Sequence, residues 1–401
     1  MKTILQKLAL SFVVAGSAVA ANAAGPLVPV PGLGENAGLS ALLDASVAYN
    51  DNIYLDDSGE KSDTIFTISP GVLFSTGDEG RSTATLRFVE NFAFYMDETD
   101  NNRALENVDF TFGHGAEGDK LRLSVAAGFH HNQSASSRNT YREARGTMTR
   151  SYNYFANALF SYKVGEKTSV RTGFKWNGLT YQNNREYYND REQYAIPLYL
   201  YYAVTEKLNV GLSGEYRYVD LAASGMNRAA GLNPGIQQVW FFGLSAEGRA
   251  WEKLSLNGRI GYTSSDYSHR TVDNSDGKDT MGMSISANYR ATEKLTTSLS
   301  LSRDFELDGT GENITSTGVR LSGVYKIDDF WSANAALSYT NDDYQVRDRE
   351  DDIYAFDIGV GYAINEYWSA YANYRFAIDD SNTSDYDYTN NIVTVGVSFR
   401  Y

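Results

Sequence analysis

Apolar and polar residues alternate with a period of two through most of the chain. That is the pattern of strands with one face against an apolar medium and the other against water. In the stretch from Leu208, Leu208, Val210, Leu212, Tyr216 and Tyr218 share one face, and Asn209, Ser213, Glu215 and Arg217 share the other. From Leu254, the apolar face is Leu254, Leu256, Ile260 and Tyr262, and the polar face is Ser255, Asn257, Arg259 and Thr263. From Ile353, Tyr354, Phe356, Ile358, Val360 and Tyr362 point one way and Asp357 the other. The polar faces are rich in Ser, Thr, Asn, Gly and Arg rather than Lys and Glu. A crowded wet lumen inside an apolar, lipid-facing wall explains that better than a soluble sandwich does.

Tight turns punctuate the alternation. They are Gly77-Asp78-Glu79-Gly80, Gly115 to Lys120, Gly165-Glu166-Lys167, Thr205-Glu206-Lys207, Trp251-Glu252-Lys253, Thr292-Glu293-Lys294, Ile327 to Trp331 and Ile364 to Trp368. Longer polar segments lie between them, near residues 50–63, 97–104, 133–148, 182–191, 222–235, 269–279, 307–313, 346–352 and 380–388. Eight tight turns imply nine hairpins. The expected fold is therefore all-β: a transmembrane antiparallel β-barrel of about 18 strands, with periplasmic N- and C-termini because the strand number is even. Aromatic residues gather near strand ends (Tyr49, Phe94, Trp176, Tyr262, Trp331, Tyr339, Tyr362, Trp368, Phe399), as interfacial girdles require. Two residues break the pattern. Glu90 falls on the apolar face with Leu86, Phe88, Phe92 and Phe94, which predicts a β-bulge or register change there. Pro197 interrupts a strand and also suggests a bulge.

The first residues read as a secretory signal. Lys2 and Lys7 precede an apolar core from Leu8 to Ala20, and Ala-x-Ala sites follow, with cleavage expected after Ala23 and after Ala20 as the alternative. This gives a signal peptide over 1–23, a proline-rich periplasmic lead-in over 24–38 and a barrel over 39–401. No plug domain is evident before the first strand, which argues against a gated siderophore-type transporter. The chain has 30 Tyr, 19 Phe and 35 Gly but no Cys, which excludes disulfide frameworks and thiol chemistry. Its net charge of -15 argues against nucleic acid as a partner. The chain ends Thr394-Val395-Gly396-Val397-Ser398-Phe399-Arg400-Tyr401. Thr394, Gly396, Phe399 and Tyr401 fill the positions of the outer-membrane assembly signal, so the barrel-assembly machinery is an expected partner through β-augmentation. Outer-membrane lipid and lipopolysaccharide are the expected surroundings.

Charge is unevenly placed. Acids crowd the long segments: Asp51, Asp56, Asp57 and Glu60; Asp97, Glu98 and Asp100; Asp342, Asp343, Asp348, Glu350, Asp351 and Asp352; Asp379, Asp380, Asp385 and Asp387. They read as a solvated rim. Divalent-cation bridging to anionic lipid is the sharper alternative, but no loop has EF-hand spacing and no metal site follows. Period-two counting points Arg87, Arg122, Arg171, Lys175, Arg217, Arg249, Arg259, Arg290, Arg320, Arg375 and Arg400 into the lumen, against Asp44, Asp109, Glu215, Glu247, Asp304 and Asp357. Two readings stand: a pore that favours anions, or a structural lattice in which arginines tie strands together. The third long segment carries Arg138, Arg142 and Arg145. It reads either as a lumenal constriction or, more simply, as an exposed loop.

Catalytic spacing is absent. His130 and His131 are adjacent on a strand and so face opposite sides; His114 lies at a turn; and no nucleophile–base set or nucleotide motif is present. No enzyme activity and no cofactor is expected. The first hairpin carries Tyr49-Asn50-Asp51-Asn52-Ile53-Tyr54, then Lys61-Ser62-Asp63-Thr64 and Ile68-Ser69-Pro70-Gly71. This resembles the outer-membrane β-barrel porin family of the β-barrel porin 2 type, often associated with exopolysaccharide loci. The resemblance implies an outer-membrane location and a link to glycan, with polysaccharide-export components as partners, and brings no catalytic residues. The alginate-exporter barrels are similar only in architecture. The expected function is a porin-like channel for small hydrophilic, anionic solutes or for exopolysaccharide export. The alternative is a structural or adhesive barrel with a closed lumen.

Overall fold

The computed structural model describes residues 27–29, 37–77, 81–116, 118–135, 146–271 and 277–401. The signal-peptide reading and Arg138, Arg142 and Arg145 lie outside the described residues. Eighteen long strands follow in order: β1 Gly38–Asn50, β2 Asp63–Gly77, β3 Ser82–Tyr95, β4 Arg103–His114, β5 Leu121–Ser134, β6 Thr149–Lys163, β7 Thr168–Tyr181, β8 Arg191–Ala203 and β9 Leu208–Leu221. The second half is β10 Ile236–Trp251, β11 Leu254–Ser268, β12 Lys278–Arg290, β13 Leu295–Leu307, β14 Asn313–Lys326, β15 Trp331–Tyr344, β16 Glu350–Ala363, β17 Trp368–Ser381 and β18 Tyr388–Arg400. Each strand pairs antiparallel with the next, and β18 closes on β1 from Ile392↔Asn50 to Arg400↔Leu42. The Ala41 and Tyr401 backbones then exchange hydrogen bonds of 2.9 and 3.1 Å. Closure leaves no free sheet edge around the ring, which is what a strand-built wall in lipid demands.

The strand ends flank all eight tight turns where the sequence placed them and define one end of the barrel, the turn end. The long segments define the loop end, where, among the described residues, one short α-helix, α1 (Gly225–Ala229), is capped by the Ser224 hydroxyl on the Asn227 N–H. One turn needs glycine for its geometry. Gly248 has φ +122, a Cβ there would lie 2.0 Å from the Lys207 carbonyl oxygen, and the register slips just beyond it between Arg249 and Trp251.

The alternation resolves into two faces as expected. Phe66, Leu198, Leu212, Phe242, Leu244, Ile260, Leu337, Ile358 and Val395 are exposed on the outside. The nine predicted girdle aromatics all have outward parity. At the turn end, Trp368 packs on Phe399 at 4.8 Å and Trp331 on Tyr362 at 4.6 Å. Towards the loop end, Tyr339 meets Tyr354 at 5.1 Å and Trp176 meets Tyr154 at 5.2 Å.

The two expected bulges do not occur. Register runs unbroken past Glu90, with Ile68↔Phe92, Gly71↔Val89 and Glu90↔Glu106. Glu90 therefore stays outward. Its neighbour across the ladder is another carboxylate, and that one is hydrogen-bonded to His131 at 2.7 Å. Glu90 thus keeps its outward place without a bulge, where the ladder to β2 lacks the rungs at Ser69 and Pro70. Pro197 likewise stays in register opposite Glu215. Its lack of an N–H falls on the β7 side, where two rungs of the ladder are missing and the Thr172 hydroxyl donates to the Pro197 carbonyl at 2.9 Å.

Candidate functional site: the lumen

The lumen wall is built from the polar faces, and it divides into two arcs. In the arc from β7 to β13 the charged side chains are paired, and Arg171, Glu247, Glu215, Arg217 and Arg259 are largely buried, whereas Lys175 and Asp304 keep about a third of their exposure. Lys175 Nζ and Arg259 Nη2 both bind Glu215, at 2.8 and 3.1 Å, and the Glu215 side chain is only 7% exposed. Arg171 grips Glu247 through two bonds of 2.5 and 2.7 Å, a fork-on-fork pair. Its guanidinium lies 5.4 Å from the centre of the Tyr201 ring, and Arg259 lies 4.3 Å above Phe241. Arg217 binds Asp304 through bonds of 3.2 and 3.1 Å. Around these pairs Val219, Val239, Phe241 and Thr263 are almost completely buried, although they point into the barrel.

What buries them is a tongue formed by the tops of β13 and β14. Pairing between β12 and β13 stops at Met283↔Arg303, whereas β13 and β14 stay paired as far as Leu307↔Asn313. The top of β13 therefore parts from β12, while β14 stays paired with β15 as far as Ile314↔Tyr344, and the hairpin reaches residues across the lumen. Backbone groups of Phe305 and Leu307 that would have met β12 are taken over by arginines. Arg217 donates to the Phe305 carbonyl at 3.3 Å and Arg191 to the Leu307 carbonyl at 2.9 Å. At the tip, Asp308 accepts from the Thr310 and Glu312 N–H groups at 2.8 Å each. The Asn189 N–H donates to the Gly309 carbonyl at 2.8 Å, its side-chain amide donates to the Thr310 carbonyl, and Arg270 donates to the Gly311 carbonyl at 3.2 Å. Glu312, 4% exposed, accepts from the Val346 N–H at 2.9 Å and pairs with Arg347 at 3.2 Å. Burial pushes the Glu312 carboxyl above the usual carboxylate range, against the pull of the Val346 N–H and of Arg347. Phe305, Ile314, Tyr188 and Tyr344 fill the space beneath.

The other arc runs from β14 through β18 and β1 to β5. At mid-strand its charges are also paired but remain wet. Arg320 and Arg375 share Asp357 at 3.3 and 3.2 Å, with side chains 46% and 36% exposed. Arg87, 48% exposed, stands 3.7 Å from Asp109, which also binds His130 at 2.8 Å. Asp44 accepts from Tyr371 at 3.0 Å and Ser398 at 2.6 Å. Nearer the loop end the same arc is dry: Asp342, Asp351 and Asp379 are buried, and Arg349, also buried, pairs with Asp351.

Four predicted lumen arginines belong to neither set. Arg122, Arg249, Arg290 and Arg400 stand at the turn end, where register faces them inward opposite Ser161, Ser255, Thr296 and Leu42. Of the assembly-signal residues, Thr394 and Gly396 face the lumen, while Phe399 and Tyr401 face out. His130 and His131 point to opposite sides as expected, to Asp109 and Glu106. Among the described residues no group of three or more acidic or histidine side chains could hold a metal ion. Sequence reasoning missed the tongue and with it Arg191. The one local hint was the brevity of Asp308-Gly309-Thr310-Gly311-Glu312 between two long strands.

Residues 314–401 match the family described as "Putative beta-barrel porin 2". The match spans β14 to β18. The hairpin motif from Tyr49 to Gly71 lies outside it. A search of curated proteins finds no match. Among solved structures, OccAB3 of Acinetobacter baumannii is similar at 11% identity and TM-score 0.44, over 90% of this chain and 99% of that one. OccK2 (OpdF) of Pseudomonas aeruginosa is similar at 12% identity and TM-score 0.46, over 90% and 98%. The FrpB iron transporter of Neisseria meningitidis is similar at 9% identity and TM-score 0.48, over 90% and 81%.

Proposed function

We propose that this chain is an outer-membrane channel, with its turn end in the periplasm, that passes small hydrophilic solutes along the β14–β18–β1–β5 arc and favours anions. The observation that carries the reading is the hydration of Arg320, Arg375 and Arg87, whose side chains keep 36–48% of their exposure inside the ring. An eighteen-strand circumference is wide enough for a water-filled passage beside the tongue. The apolar outer face and its aromatic girdles support membrane insertion, and the final strand supports recognition by assembly machinery. The role is passive and non-catalytic: guanidinium groups in a wet, narrow path exchange hydration water for solute oxygens at little cost. Export of an exopolysaccharide through the same arc is the finer version, supported only by the family resemblance. A second reading, a structural barrel, is favoured by one observation: the tongue and the β7–β13 ion pairs occupy part of the lumen.

Planar-bilayer recording of the pure protein tests both. The channel reading expects discrete conductance steps and a reversal potential on the anion side in a salt gradient. Sustained silence, or cation preference, would overturn it.

A further inference from the structure

Ala355 on β16 and Ala377 on β17 stand opposite each other on the lumen side, yet both are buried. What covers them comes from the β1–β2 loop. Leu55 packs against the cluster of Ala355, Ala377 and Tyr388, so the loop turns back into the ring and lies over β16 to β18. This seat is one inward position closer to the loop end than Asp357 and Arg375, about 7 Å along the strands. The stretch from Asn50 to Tyr54 holds the loop there. Asp51 accepts from the Asn391 N–H at 2.6 Å and from its side-chain amide at 2.7 Å. The Asn390 amide donates to the Asn50 side chain at 2.6 Å and to the Asn52 carbonyl at 3.0 Å. The Asn52 amide donates to the carbonyls of Asp56 at 2.8 Å and Thr389 at 3.1 Å, and its oxygen accepts from the Asp56 N–H at 3.0 Å. On the other side, the Tyr54 hydroxyl donates to Glu98 at 3.0 Å and accepts from Asn101 at 2.9 Å. Leu55 itself takes φ +55, a left-handed backbone that leucine adopts only when its surroundings impose it.

We propose that the β1–β2 loop is the constriction of the aqueous path, and that Leu55, seated on β16 to β18, sets the width of the wet arc near its loop end and so the size of solute that passes. This rests on the reading of the barrel as a channel. A loop that only joined two strands could lie outside the ring in water. This one buries Asn52 and Ile53 and is tied to β18 on one side and to the β3–β4 loop on the other. Ala355 and Ala377 are small enough to leave a recess that one leucine fills, which accounts for apolar residues on an otherwise polar inner face. An apolar side chain in a narrow passage also resists wetting. Size is then selected at Leu55, and charge at Arg320 and Arg375 one step towards the turn end.

The chain has no cysteine, so A355C is a single thiol in the seat, and S58C, on the exposed part of the same loop, is its reference. In detergent-solubilised barrel, a water-soluble maleimide should label A355C at least about tenfold more slowly than S58C. L55G removes the side chain while suiting the left-handed backbone, and in A355C/L55G the rate should rise by about tenfold. A355C labelled as fast as S58C, or a rate that L55G leaves unchanged, overturns the proposal whether or not the barrel conducts. In planar bilayers, L55G should raise single-channel conductance by about twofold and admit larger polyethylene glycols. Unchanged conductance in a conducting barrel also overturns it. If both forms stay silent while L55G frees the seat, Leu55 stands as a plug of the lumen and the channel reading alone fails.

Discussion

Arg259 and Arg320 occupy the same kind of place. Each is on the lumen face of a long strand, in hydrogen-bond reach of a carboxylate, in a chain that puts arginine there again and again. Arg259 is 16% exposed and lies on an aromatic ring; Arg320 is 46% exposed and lies in water. The residue type does not make the difference. It is made by what stands opposite. The tongue leans onto β8 to β11 and turns that arc into the equivalent of a soluble protein's interior, while the mid-strand positions of β14 to β18 and β1 to β5 stay open to water. Buried and water-exposed arginine–carboxylate pairs thus coexist in one ring.

Removing one carboxylate from each arc is the strongest way to break this comparison. Glu215→Ala strands Arg259 in a dry site, and losing one partner of a buried pair costs about 3–5 kcal/mol. Asp357→Ala acts where water already reaches Arg320 and Arg375, at a cost of about 0–1 kcal/mol. Urea unfolding of the two variants in lipid vesicles measures both. Equal losses would mean that the arcs do not differ in solvation.

The tongue itself comes next. Arg191→Gln with Arg217→Gln removes the side chains that hold the Phe305 and Leu307 carbonyls. The hairpin should then loosen, and single-channel conductance should rise by about twofold as the wall behind it joins the path. Unchanged conductance would show that apolar packing around Phe305 and Ile314 alone keeps the tongue in place.

Much of this was legible beforehand. A period of two sorts residues to two faces without any knowledge of the fold, so Arg217 and Arg259 could be placed inward and Tyr262 outward from spacing alone. The Thr-Glu-Lys turns marked strand ends because so few residues can reverse the chain. The tongue was not legible, because its contacts join residues 88 and 116 positions apart, Arg217 with Phe305 and Arg191 with Leu307, and no local pattern encodes that distance. Nor was the split of the arginines. Spacing says which way a side chain points but not whether water reaches it. Glu90 and Pro197 misled because spacing cannot tell a bulge from a residue held in register at a cost: Pro197 sits at a gap in the ladder to β7, and Glu90 stays outward opposite Glu106.

Two carboxylates at the loop end sharpen the contrast through pH. Glu98, held by Lys61 at 2.7 Å and by the Tyr54 hydroxyl at 3.0 Å, is lowered by those bonds. Its folded value lies below its unfolded one, so its contribution is present above the unfolded value of about 4.3 and lost as pH falls through the folded value. Glu312 is raised by burial, so the folded tongue favours the protonated form, and it gains stability as pH falls through that raised value towards the unfolded value of about 4.3. Between neutral pH and mild acidity the tongue should therefore tighten while the Glu98 contact stays intact. Hydrogen exchange of the amides around Glu312 should slow over that window, and Glu312→Gln should flatten the response. Faster exchange at mildly acidic pH would reverse the sign assigned here.

The smallest expected effect lies on the outer face. The row of residues opposite one another from strand to strand climbs from Trp368 at the turn end through Phe399, Leu43 and Pro70 to Glu90, then through Glu106 and His131 to Tyr152 and Thr180 near the loop end. Glu90 is the middle member, so it stands about halfway up the apolar band, among Phe88, Phe92 and Phe94. An acid at that depth is unfavourable, though less so than the roughly 2–4 kcal/mol of a lysine or arginine. Glu90→Leu should therefore stabilise the barrel by about 1 kcal/mol in lipid vesicles, while conductance stays unchanged because the side chain touches neither arc of the lumen. Glu106→Leu offers the control. It also removes an outward acid but strands His131, whose ring loses its 2.7 Å partner, so its gain should be smaller than that of Glu90→Leu. A destabilised Glu90→Leu barrel would mean that the carboxylate makes a contact in the membrane that a leucine cannot replace.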